Sequence, residues 1–267
     1  MSMTTDNAAP ALGAGATGTI PGAGRHILTI GKREMAAYFA SPVAYIFIVI
    51  FLLMSGFFTF MVGRFFQRGE ASLISFFIWH PWLYLFLVPA VGMRLWSEER
   101  RLGTIELLLT MPITAWQAIV GKFLASWAFL AIALALTFPL IFTVAYLGSP
   151  DLGIIVCGYV GSLLMAGAYL AISCMTSAIT RNQVISFILS VVVCLFLILA
   201  GWPPVTDMLV QWAPNWLVEA VAAFSVMTHY ESFQRGVIDS RDLVYFLSVI
   251  GFSLFTTGVI IRSHRAG

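Results

Sequence analysis

Trp96-Ser97-Glu98-Glu99-Arg100-Arg101-Leu102-Gly103-Thr104-Ile105-Glu106-Leu107-Leu108-Leu109-Thr110-Met111-Pro112-Ile113-Thr114 is the most charged stretch of a chain in which only 10% of residues are charged. Long apolar runs flank it on both sides. Ser97 is a helix-capping residue type, and Glu98 and Glu99 behind it suit the positive end of a helix dipole. Gly103 can end that first turn, and Thr104 can cap a second one with Ile105, Leu108 and Leu109 on a single face. Pro112 closes the second turn and Thr114 caps the next helix. The stretch therefore reads as a charged helix-turn-helix held between two apolar spans. Such an element suits a soluble partner at a membrane surface, and it equally suits a solvated loop that satisfies the charge bias of membrane proteins.

The flanks decide the fold class. Of 267 residues, 60% are hydrophobic, against about 45–50% in soluble domains, and mean hydropathy is +0.94. The apolar runs continue for about twenty residues without the alternation of barrel strands, so the spans are helical. The expectation is an all-α integral membrane protein. A net charge of +2 is too small for a nucleic-acid binder. Cys157, Cys174 and Cys194 all sit in apolar runs and read as small buried hydrophobes.

In chain order, residues 1–24 are rich in Ala, Gly and Thr. They have neither a basic n-region nor an apolar h-region, and read as a disordered tail rather than a signal peptide. Residues 25–267 form a single transmembrane domain. Between Arg25 and Ala40, Leu28, Gly31, Met35, Tyr38 and Phe39 share one side while Thr29, Lys32 and Arg33 share another, the pattern of an amphipathic interfacial helix. Ser41-Pro42 is a strong helix start. Six spans are expected, at about 43–62, 73–93, 115–147, 152–179, 184–200 and 243–261. The first holds twenty uncharged residues, or roughly 30 Å of helix.

His80-Pro81 lies in the second span, near an end where water can reach it. Lys122, at the start of the third, is expected to snorkel toward phosphates. In the fourth, Gly158, Ser162 and Ala166 recur every four residues, as do Gly167 with Ala171 and Ser173 with Ser177, which permits close helix approach. Residues 201–242 carry prolines and carboxylates yet stay largely apolar. They read as short helices, one from Asn215 to about Thr228, dipping into the outer leaflet as a re-entrant segment.

Six spans leave both termini on one side. With those termini inside, ten of the 14 Lys and Arg face the cytosol and four face outward, which favours both termini cytosolic. The charged stretch then lies in the cytosol. No Gly-x-x-x-x-Gly-Lys-Ser/Thr, Gly-x-Ser-x-Gly or His-Glu-x-x-His occurs, so the chain carries no phosphate-cradling loop or hydrolase motif of its own.

Glu-Glu-Arg-x-x-Gly-Thr-Ile-Glu-Leu-Leu-Leu-x-x-Pro-Ile-Thr, followed by Gly121-Lys122, resembles the first coupling segment of ATP-binding-cassette type-2 permeases. His229-Tyr230-Glu231-Ser232-Phe233-Gln234-Arg235-Gly236-Val237-Ile238-Asp239-x-Arg241-Asp242 resembles the approach to the last span in their gliding-motility and copper-site-maturation branches. The resemblance covers about residues 25–262. It implies a type-2 exporter-like permease fold in a bacterial cytoplasmic (inner) membrane, with a connecting helix before the first span and a cytosolic coupling helix between spans two and three. It further implies two copies of a separate ATPase subunit that binds ATP and Mg, and a second permease copy or similar chain. An auxiliary periplasmic or membrane protein is a further possible partner. The ATPase-coupling residues would be Glu98, Glu99, Arg100, Arg101, Gly103, Thr104, Glu106, Leu108 and Leu109. His229, Glu231, Arg235 and Asp239 would mark the outer-face segment. The competing reading is a membrane scaffold or channel-like protein without ATP coupling.

Overall fold

A computed structural model describes residues 23–69, 71–104, 114–211 and 213–263. Every regular element among them is a helix. Glu106, Leu108 and Leu109, and with them the second turn of the charged stretch, lie outside the described residues, as do residues 1–22 of the expected tail.

Helix α1 (Ala23–Ala40) begins two residues before the expected amphipathic stretch. Ser41 then caps α2 (Pro42–Phe57), its hydroxyl accepting from the Val43 amide at 3.3 Å. The first apolar run ends in a π-helical turn, Phe58–Val62. After the short α3 (Phe65–Arg68), the second run divides into α4 (Ile74–Phe77) and α5 (His80–Gly92). α6 (Arg94–Leu102) follows almost directly. Thr114 opens α7 (Ala115–Ala135) with a full capping box to Gln117, satisfying amides that a helix start leaves free. A break before Pro139 separates α7 from α8 (Pro139–Leu147).

Asp151 caps α9 (Leu152–Ile179) and Asn182 caps α10 (Gln183–Leu199). The segment after α10 folds as α11 (Pro203–Val210), α12 (Asn215–Ala223) and α13 (Val226–Gln234). Where one helix was expected to run from Asn215 to about Thr228, the chain breaks at Phe224 and Ser225 caps α13 instead. α14 (Ser240–Ser263) completes the fold.

Four units are long and apolar enough to cross a membrane: Pro42–Gln67, Ala115–Leu147, Leu152–Ile179 and Ser240–Ser263. A fifth arises if α10 and α11, bent by 64° at their junction, count as one span. α9 is the axis of the bundle. Two thirds of its apolar window is buried, against a third or less in the other three units. It packs on α5, α6, α7, α10, α13 and α14.

Small residues make that central place possible, because in lipid the hydrophobic effect gives helices no reason to associate and close fit must hold them. Phe77 lies where a Cβ on Gly158 would sit, and Phe233 does the same at Gly161. The three cysteines are buried and unpaired in this interior.

His80 departs from the expected wetted position. It is fully buried, its ring wrapped by Phe51, Phe76, Phe77 and Tyr84, because the break between α4 and α5 turns it into the bundle.

Candidate functional site

The charged stretch starts differently from its expected form. Ser97 does not cap a helix; it lies within α6, and its hydroxyl donates back to the Met93 carbonyl. The cap comes from another helix. Ser177 of α9 accepts the backbone N–H of both Trp96 and Ser97 at 2.9 Å and donates to the Met93 carbonyl at 2.9 Å. A helix start leaves its first amides without intrahelical acceptors, and one hydroxyl 80 residues away meets two of them. The Trp96 indole is fully buried and donates to Cys174 at 3.1 Å. Arg100 reaches the Ala178 carbonyl at the C-terminal end of α9. Burial first, and then the nearby Arg181 charge, hold the Arg100 guanidinium below its ordinary pKa.

Lys122 does not reach toward headgroups. Its ammonium lies 2.9 Å from Glu99 and 3.2 Å from Glu34, with its side chain 7% exposed. It also sits over the Trp96 ring at 5.6 Å. Two features force this inward course. α1 lies tightly along α7, with Ile30 where a Cβ on Gly121 would sit, so the way outward is covered. The buried ammonium then needs anions, since an unpaired buried charge is costly, and two carboxylates supply them. The three charges come from α1, α6 and α7, joining the N-terminal helix, the charged stretch and a long apolar helix at a single point. Alongside, the Tyr38 hydroxyl bonds Ser126 at 2.9 Å, and burial raises its pKa.

The rest of the expected coupling set faces outward. Glu98 pairs with Arg94 at 3.5 Å and Arg101 at 4.0 Å, all three side chains being a third or more exposed. Leu102 is 63% exposed. Gly103 ends α6 in the left-handed conformation (φ +71), and Thr104 donates to the Glu99 carbonyl at 3.4 Å. Thus Glu99 and Arg100 brace α6 from within, while Glu98, Arg101, Leu102, Gly103 and Thr104 present its surface. Sequence reasoning missed Glu34 and Leu102, and read Ser177 only as a small packing residue. Only Leu102 left a local signal, a lone leucine at the end of a charged turn.

The segment before α14, expected at the outer face, has its own buried contact. His229 Nδ1 lies 2.6 Å from Asp242 Oδ1, and Nε2 lies 3.0 Å from the Ala223 carbonyl. Both ring nitrogens thus have an oxygen partner, one on a side chain and one on the backbone. Tyr245 stacks on the imidazole at 4.0 Å and donates to the Phe224 carbonyl at 2.6 Å. Tyr230 bonds Ser162 of α9 at 2.7 Å. Glu231 and Arg235 are instead an exposed pair at 2.6 Å. Asp239 accepts the Arg241 amide at 3.0 Å at the start of α14. Of the four expected outer residues, the structure turns only His229 inward, onto Asp242.

No curated protein matches the chain. Residues 82–214, from α5 through the charged stretch and α9 to the loop after α11, match the family model described as ABC-2 family transporter protein, and together with the long apolar helices this match supports a multi-pass membrane permease of the ABC-2 type.

Proposed function

We propose that this chain is the permease subunit of an ATP-binding-cassette transporter, and that a separate ATPase subunit docks on the exposed face of α6. Six spans cross a bacterial cytoplasmic membrane in this reading: α2 with its π turn, the α4–α5 run, α7–α8, α9, α10 and α14, with both termini cytosolic. Two permease chains of this or a similar sequence stand above two ATPases. The outer-segment motif suggests the gliding-motility or copper-site-maturation branch. Export or transmembrane force transduction is the output.

The observation that carries the reading is the way α6 is mounted. Its inner face is fixed to α9 through Ser177, Cys174 and Ala178, and to α1 and α7 through Lys122. Its outer face offers Glu98, Arg101 and Leu102. A solvated loop needs no such anchorage. A lever does, because a push on α6 reorients the bundle only if α6 cannot yield by itself.

The test uses permease and ATPase expressed together. Arg101→Glu and Leu102→Asp replace exposed side chains, so both variants should keep the wild-type melting temperature. Charge reversal at a dehydrated subunit contact costs about 2–5 kcal/mol, and the ATPase should be lost on co-purification, a drop in association of tenfold or more. Full retention of the ATPase by both variants would sink the docking assignment.

A further inference from the structure

Beside α6 lies a crevice of about 410 Å³ between α1, α2, α5, α6 and α7. We infer that it is a binding slot for a phospholipid whose headgroup carries both an ammonium and a phosphate.

Its walls are of mixed polarity. Phe47 and Phe129, with ring centroids 5.3 Å apart, share its lining with the Arg94–Glu98 pair and with Glu34. Ser41, where α1 gives way to the uncharged run of α2, also lines it. Such a junction marks the depth at which a headgroup meets acyl chains. A water-filled cleft would not need its apolar side chains, and a pocket for an apolar solute would not need three carboxylates.

Charge narrows the headgroup. Arg94 touches Glu98 through Nε at 3.5 Å, and its terminal nitrogens make no hydrogen bond among the described residues. A guanidinium so placed offers its fork to phosphate oxygens. Glu34 and Glu98 stand beside it, 22% and 35% exposed, while Lys122 behind them is already held by Glu34 and Glu99. A headgroup lacking an ammonium would bring its phosphate against these carboxylates unrelieved. A headgroup with primary ammonium N–H donors satisfies both signs, and trimethylammonium cannot donate. Because the Lys122 cluster lines the same crevice, an occupied slot would also stiffen the joint between α1, α6 and α7. The inference rests on the membrane reading of α2 and α7 and not on the ATPase.

The test uses purified permease alone in detergent, so it stays separate from ATPase docking. Phosphatidylethanolamine, phosphatidylcholine and phosphatidylglycerol with identical acyl chains are added one at a time. Retained lipid is counted by native mass spectrometry and the melting temperature is followed. Phosphatidylethanolamine should be retained at one molecule per chain and raise the melting temperature, with the other two bound about tenfold more weakly, as loss of one charge-assisted contact implies. Ala90→Trp fills the slot and Arg94→Gln removes the phosphate fork; each should abolish this preference. Equal retention of the three lipids overturns the inference. So does an unchanged preference in Arg94→Gln, which removes no packing group from the core and serves if Ala90→Trp fails to fold.

Discussion

The charged stretch and the segment before α14 each hold a buried side-chain contact, and the two are built on different principles. In the first, Lys122 joins Glu34 and Glu99, drawing on three helices and spanning 88 residues between the farthest partners. In the second, His229 and Asp242 are 13 residues apart on consecutive helices. The first ties α6 to the packed pair of α1 and α7. The second fastens a local hairpin, and Tyr245 covers it. A force applied at α6 meets the first directly, beside the α9 anchors Ser177, Cys174 and Ala178, whereas the second includes no α6 residue. The charged stretch is thus a mounted element, whereas the segment before α14 is closed on itself.

Lys122→Met is the sharpest way to break this comparison. It leaves Glu34 and Glu99 facing each other without a cation, and losing one member of a buried ion cluster costs about 3–5 kcal/mol. A large drop in melting temperature is expected. Adding Glu34→Gln and Glu99→Gln to the same chain should recover much of it, since an apolar and amide replacement removes the stranded charges. A Lys122→Met protein that melts with the wild type would show that the cluster joins nothing.

His229→Phe has a smaller expected effect. The ring keeps its stacking on Tyr245, while the Asp242 carboxyl and the Ala223 carbonyl lose their partner. A buried polar group left unsatisfied costs about 1–3 kcal/mol. Because the contact is local, proteolysis should become faster at residues 213–240 with α6 still protected. Equal loss of protection at both places would mean that the segment before α14 is coupled to the bundle as tightly as α6.

Glu231→Ala should do least. Its partner Arg235 is more than half exposed, as is Glu231 itself, and exposed pairs contribute about 0–1 kcal/mol. A melting temperature within a degree or two of wild type is the expected result. A clear loss would show that this surface is covered by something, which would sharpen the picture of this segment as an interaction face.

Local chemistry was legible in the chain. The start of α2 at Ser41-Pro42, the capping box at Thr114 and the left-handed turn at Gly103 depend on residues within four positions of one another. So does the small-residue stripe of α9, whose spacing alone announces close packing. Uncharged runs of about twenty residues announce membrane helices on length alone. None of these needs knowledge of what lies across the bundle.

Tertiary structure alone decided which charges are solvated and which are held. Glu98 and Glu99 are neighbours of the same type, yet one meets water and the other meets Lys122, because successive residues on a helix point about 100° apart and only one direction faces α7. Ser97 was the obvious cap and Ser177 is the actual one, since the free amides of α6 happen to face α9. His80 looked wettable from its place near a span end, until the break between α4 and α5 turned it inward. A side chain carries its charge and hydrogen-bonding capacity in the sequence; its partner, and whether water can compete for it, exist only once helices 80 or more residues apart have packed together.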